Sequence, residues 1–283
     1  MPPLVRRRRQ THFASVTAVT QSFAVRGPRP RELQLHNPCR SRLKRASGRP
    51  MMRPAMPEAA LQPLAPDLWV ASRRLPLFVG EIGCRMTVVR LGSELLLHSP
   101  VPLDAATRDA LDRLGRVRWL VGPSKVHHLY LGDYVAAYPD ALLCGAPGLP
   151  EKRRDLRFAC VLDDGAAPPW GAGLAIRLLR GAPLMNEVVF FHPGSRTLVL
   201  TDLAFNVPAD GGGARFFHWL VGATGRFGPH RIVRFGIRDR AAARASLEAM
   251  RAWDFDRVIV SHGDVLERGG KAAFERAFAP WLA

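Results

Sequence analysis

From Leu61 to Ala283 the apolar residues fall in short, strand-sized runs separated by amphipathic stretches, and this alternation most constrains what the chain can fold into. "EVVFFH" (Glu187–His192) and "RTLVLTD" (Arg196–Asp202) are typical. No run approaches the roughly 18 apolar residues of a membrane-spanning helix. Strands this apolar must be covered on both faces, so helices have to lie outside the sheets.

The order of elements sharpens that reading. "DLWVAS" reads as a strand, and "RMTVVRLGSELLLHSP" as a hairpin across Gly92-Ser93. "PLDAATRDALDRLG" is an amphipathic helix with Leu103, Ala106, Ala110, Leu111 and Leu114 on one face and Gly115 as its stop. The strand "RVRWLVGP", the helix "LYLGDYVAAYPD", the strand "ALLCG" and a short helix in "PGLPEKRRD" follow. Strands at "GLAIRLLRG", "EVVFFH" and "RTLVLTD" come next. Then come a Gly-rich loop, the helical "ARFFHWLVGAT", the helix "RDRAAARASLEAMRAW", the strand "DRVIVSHGD" and the helix "GGKAAFERAFAPWLA". The plan expected is two sheets face to face with helices outside, a four-layer αββα sandwich over residues 57–283.

The first 56 residues differ in kind. Residues 1–53 carry 13 Lys or Arg and one acid, Glu32, a charge of +12 out of the chain's +17. The rest has 28 basic against 23 acidic residues. The excess is therefore a property of the leading segment, and nucleic-acid binding is not expected of the body. Residues 1–56 are expected to be a disordered or non-native extension, with Met51, Met52 or Met56 as starts. Targeting and a basic binding arm are the competing readings. Cys39, Cys84, Cys144 and Cys160 form no C-x-x-C pair and are expected as buried or free thiols in the cytoplasm.

Chemistry is expected where strands hand over to loops. His127 and His128 follow "RVRWLVG", Asp202 ends "RTLVLT" and His262 ends "RVIVS". Singly, each is an ordinary strand terminus. Together, three imidazoles and a carboxylate can hold one zinc, iron or manganese ion. His98, in "LLLHSP", follows another strand and reads as a plain structural histidine.

The order "HH…TDLAFN…SHG" on this strand and helix plan resembles the metallo-β-lactamase superfamily, in which a T-H-x-H-x-D-H motif, a metal-bridging Asp and a final His follow successive strands. "EVVFFHPGSRTLVLTDLAFN" resembles the stretch through the bridging Asp, which maps onto Asp202, and "VIVSHGD" resembles that around the last ligand, mapping onto His262. "RMTVVRL", "LHSPVPL", "HH" and "TDLAFN" are similar to a branch of that superfamily of unknown function. The departures are specific. Pro123 and Lys125 stand where the first two motif histidines would be, His127 takes the Asp place and His128 that of the last His. "RGAPLMNE" has no histidine where the middle one is expected.

The resemblance therefore implies that one metal site is lost, leaving a half-site of His127, His128, Asp202 and His262. Lys125 would stand in for the missing charge, keeping Asp202 ionised and polarising a substrate oxygen. Lys125 and Asp202 are thus the expected catalytic pair. The function implied is metal-dependent hydrolysis of a small molecule. The alternative is a binding or scaffold protein that kept the fold and holds no metal. Substrate choice would lie in Asn206–His230, whose Phe216, Phe217, Trp219 and Phe227 could cover the site.

Overall fold

The structure is a computed structural model that describes residues 60–77, 80–165, 167–208 and 225–283. By its contacts the chain divides into Met1–Met52 and Arg53–Ala283, and all described residues lie in the second unit. The basic segment 1–56 and most of the aromatic loop after Asn206, with its "ARFFHWLVGAT" helix, lie outside the described residues.

Two sheets form. In the first, β1 (Gln62–Ala65), β2 (Leu68–Leu77), β3 (Gly80–Leu91), β4 (Glu94–His98), β5 (Arg116–Gly122), β6 (Leu142–Gly145) and β7 (Cys160–Val161) lie side by side in sequence order. The hairpins come first and are antiparallel; β4 to β7 are parallel. Helices α1 (Ala105–Leu114), α2 (Leu131–Ala137) and α3 (Leu149–Lys152) make the parallel crossovers. The second sheet runs β11 (Arg257–Ile259), β10 (Thr197–Val199), β9 (Val188–His192), β8 (Ala175–Leu178). Around it lie α4 (Arg231–Gly236), α5 (Arg240–Arg251) and α6 (Gly270–Leu282).

Side-chain alternation along the strands separates three cores, and these define the layers. Val188 and Phe190 of β9 meet Leu96, Trp119 and Val121 of the first sheet in the middle core. Val189 and Phe191, one residue out of phase, face Leu247, Met250, Phe274 and Phe278 of α5 and α6. Leu95, Leu97 and Leu120 face Leu111, Leu131 and Tyr134 of α1 and α2. A strand side chain that leaves one core lands in the next, so a one-residue slip would exchange whole layers. The four-layer sandwich is thus the observed fold.

Two details differ from the sequence reading. On α1, Ala106 is exposed and Thr107 is buried. Thr107 goes inside because its hydroxyl accepts a 2.6 Å hydrogen bond from the buried Arg73 guanidinium, which also pairs with the helix cap Asp104 at 3.1 Å. The expectation of unpaired thiols is corrected for Cys144 and Cys160. They are directly opposed in the parallel strands β6 and β7, with Cα atoms 4.8 Å apart, and form a disulfide. Cys84 is buried and its thiol donates to the Arg73 carbonyl at 3.4 Å. No helix among the described residues is long and apolar enough to cross a membrane.

Candidate metal centre

Strand register sets two of the site residues side by side. β10 and β11 are parallel, with Val199 opposite Ile259. Three residues beyond that pair on each strand stand Asp202 and His262. Gly263 follows with φ +97°, and a Cβ there would collide with the Asn206 carbonyl. The chain beyond His262 can turn this tightly only with glycine.

The third residue comes from the other sheet. After β5, the buried Ser124 hydroxyl accepts the amides of Val126 at 3.2 Å and His127 at 3.1 Å, which fixes the turn. The Val188 amide donates to the Pro123 carbonyl at 2.8 Å, and the Lys125 amide to that of Met185 at 2.9 Å. The His127 turn is thus stitched to the start of β9. His127 Nε2 reaches Asp202 Oδ2 at 3.3 Å, and His262 Nε2 reaches Asp202 Oδ1 at 3.3 Å. One ligand atom from each of His127, Asp202 and His262 lies within 4.8 Å of the others.

The outer face of each imidazole is already engaged. His262 Nδ1 donates to the Gly83 carbonyl at 2.6 Å, so that nitrogen carries the proton. Arg85, two residues on, donates to the Val260 carbonyl and to Ser72 Oγ at 3.1 Å, so β3 grips both the end of β11 and its histidine. His127 Nδ1 bonds Ser99 Oγ at 2.8 Å, from a residue held at φ +57° just past β4. Phe205 stacks on His262 at 5.0 Å. Backing of Nδ1 by a fixed oxygen is how proteins aim Nε2 at a metal.

Sequence reasoning missed the group that holds Asp202 in place. Glu187 is fully buried and accepts three consecutive amides: Thr201 at 2.7 Å, Asp202 at 2.9 Å and Leu203 at 2.7 Å. Burial and the Asp202 charge push its carboxyl up to about 7, while the Thr201 amide pulls it down. Both oxygens only accept, which is the bonding pattern of a carboxylate. The signal was present: Glu187 is in phase with Val189 and Phe191, the helix-facing set of β9, where a charge needs a dedicated partner.

The structure brings His127, Asp202 and His262 together and leaves His128 and Lys125 outside the cluster. The His128 ring faces Arg153, with Nδ1 3.3 Å from the guanidinium, and its carbonyl accepts from Arg153 at 2.7 Å. Burial and the charges of Lys152 and Arg153 push its pKa down. Adjacent residues in this turn diverge, so only one histidine of the pair enters the site. The Lys125 ammonium donates to the Pro183 carbonyl at 3.0 Å. The ion-pair partners of Asp202 among the described residues are His127 and His262.

The residues present fit a metal ion. Burial pushes Asp202 up, but His127 and His262 hold its carboxyl well below the usual range. Burial pushes His127 down, yet the Asp202 carboxylate raises it above its ordinary value. Asp202 Oδ2 is buried, and among the described residues it accepts no well-formed hydrogen bond, His127 Nε2 standing 3.3 Å away. With Nδ1 of His262 protonated, a neutral ring turns a lone pair on the carboxylate. A buried anion facing two ring nitrogens needs a shared positive charge, which a second proton or a divalent cation supplies. The two 3.3 Å separations run to different Asp202 oxygens, and one donor atom from each residue lies within 4.8 Å of the others. The edge of a tetrahedron built on metal–ligand bonds of about 2.1 Å is about 3.4 Å, so the three donors would draw slightly together around an ion.

His98 lies outside this cluster. It is buried against Phe190 of the middle core in an edge-on contact with ring centroids 4.7 Å apart, and its Nε2 has no hydrogen-bond partner among the described residues. Burial, then the His127 charge, pushes its pKa down to about 3. The unfolded chain therefore binds a proton that the folded chain refuses. His98 leaves stability intact above about pH 6.5 and withdraws it as pH falls toward 3, by at most about 5 kcal/mol. Urea midpoints of wild type should drop through that window, and His98→Leu should flatten the fall. Parallel acid limbs for the two proteins would count against this.

Residues 66–213 match the family described as Domain of unknown function (DUF4336). No curated protein matches the chain. Among solved structures, a metallo-β-lactamase from Erythrobacter litoralis is 18% identical with a TM-score of 0.56, covering 78% of this chain and 95% of that one. The metallo-β-lactamase FIM-1 from Pseudomonas aeruginosa, in its mono-zinc form, is 14% identical with a TM-score of 0.54, covering 79% and 96%. The metal-soaked Flv1 flavodiiron core from Synechocystis sp. PCC6803 is 15% identical with a TM-score of 0.55, covering 78% of this chain and 60% of that one. At these identities the likeness is one of fold. Matched over more than half its length, the chain belongs to the DUF4336 family, and its fold is that of the metallo-β-lactamases.

Proposed function

We propose that His127, Asp202 and His262 hold one divalent metal ion, zinc, iron or manganese, and that the protein is a hydrolase acting on a small-molecule ester, thioester, amide or phosphodiester. The observation that carries this is Asp202, buried between two imidazoles whose far nitrogens are already engaged. Two neutral imidazoles and one carboxylate leave a divalent ion with a net positive charge, and such an ion supplies Lewis-acid polarisation and an acidified water. Glu187 keeps the Asp202 turn in one conformation. Asp202 is the ionised ligand that offsets part of the ion's charge, and Ser99 and Gly83 fix the ring orientations around it. Lys125, held by the Pro183 carbonyl rather than by Asp202, sets a positive charge on the outer side for a substrate oxygen.

The test is turnover of p-nitrophenyl acetate and bis(p-nitrophenyl) phosphate by the full chain with one equivalent of Zn²⁺. Hydrolysis of at least one ester should be lost on chelation, return with metal, and fall at least ~100-fold in Asp202→Ala. Turnover that ignores both chelator and Asp202→Ala would overturn the reading. So would no turnover with any of the three metals, and the scaffold alternative would then take its place.

A further inference from the structure

The chain uses arginine almost everywhere. Of its 41 Lys and Arg residues only Lys44, Lys125, Lys152 and Lys271 are lysines. Two of these meet beside the candidate centre. The Lys152 ammonium donates to the Lys125 carbonyl at 2.6 Å, and the Lys125 ammonium donates to the Pro183 carbonyl at 3.0 Å. Each ammonium has three N–H donors, so each keeps donors to spare. Neither forms an ion pair with a carboxylate among the described residues, whereas the neighbouring Arg153 is paired with Asp155 at 2.7 Å. The Lys125 stem is held close over Gly148, which has φ +82°; a Cβ there would lie 3.3 Å from Lys125 Cδ.

The same rim is apolar. Among the described residues the exposed large apolar side chains are Val126, Leu129, Val161, Leu184 and Phe235, and two of the five, Val126 and Leu184, border Lys125. Val126 follows Lys125, and Leu184 lies between Pro183 and Met185, the two residues whose carbonyls Lys125 engages. Val126 is 48% exposed and Leu184 59% exposed. Apolar side chains left in water next to two uncompensated cations make a surface complementary to an amphipathic anion. Lysine suits such a place better than arginine: a compact charge with rotatable donors adapts to a carboxylate or a phosphate head, while a guanidinium imposes a planar fork.

We infer that Lys125 and Lys152, with Val126 and Leu184, form a subsite beside the His127/Asp202/His262 centre for a small amphipathic anion, a carboxylate or phosphate head on an apolar body. That this ligand is the substrate rests on the hydrolase reading above; that it binds does not.

The experiment is calorimetric titration of the full chain, metal-free and zinc-loaded, with octanoate and octyl phosphate. Octanol serves as the neutral control, and acetate and inorganic phosphate as heads alone. At least one octyl anion should bind at least tenfold tighter than octanol and than its own head, in the metal-free protein as well. Lys125→Ala/Lys152→Ala should lose at least tenfold. Lys152→Gln, on an exposed side chain, should lose part of that and serves if the double variant does not fold. Equal binding of octanol, or binding unchanged in whichever lysine variant folds, would overturn the inference. Anion binding by a protein that holds no metal would leave the subsite standing and remove the hydrolase reading. Metal binding without anion binding would do the reverse.

Discussion

Replacing Glu187 with alanine is expected to cost about 3–5 kcal/mol of stability, more than any other single side chain near the site. The carboxylate takes three successive amides at 2.7–2.9 Å in a place with no water access. Losing it strands three buried donors, each worth about 1–3 kcal/mol when unpaired, and relief from burying the charge offsets only part of that. Glu187→Gln keeps the volume but turns an NH₂ group toward one or more of the same donors, so it should be nearly as damaging. The measurement is the urea midpoint of the full-length variants at fixed pH. Wild-type midpoints in both variants would contradict the role assigned to Glu187. Because the three amides belong to the turn that carries Asp202, loss of stability should come with loss of metal affinity.

Much of the architecture was legible because its cause is local. Strand-sized apolar runs such as "EVVFFH" must be covered on both faces, and the helices that cover them, such as Arg240–Arg251, declare themselves by periodicity. Asp202 and His262 were legible for a related reason. Each sits just past a short apolar strand, and parallel pairing of β10 and β11 carries both to the same end of the sheet.

What stayed hidden depends on side-chain direction and on partners far away in sequence. "HH" offers two imidazoles with nothing in the pattern to say which one turns inward; the Ser124 hydroxyl bond to the His127 amide decides it, and His128 goes to Arg153. Lys125 is near the site in sequence, but its ammonium is claimed by Pro183, 58 residues on. Glu187 looked like the polar start of a strand because its three partners lie 14, 15 and 16 residues away. Cys144 and Cys160 have no diagnostic spacing; they meet because the α3 crossover lays β7 beside β6.

The central claim is that three side chains, His127, Asp202 and His262, make a metal centre and that His128 is not among its ligands. Loss of the carboxylate removes the only negative ligand and leaves two neutral imidazoles, which should lower affinity by orders of magnitude. His128→Ala touches none of the three donor atoms. The decisive measurement is metal content, by mass spectrometry, of the untagged full-length protein after exposure to zinc, iron or manganese and exhaustive dialysis. The account predicts close to one ion per chain in wild type and in His128→Ala, and nearly none in Asp202→Ala and His262→Ala. A folded wild type that retains no ion, or an Asp202→Ala variant that retains as much as wild type, would contradict it.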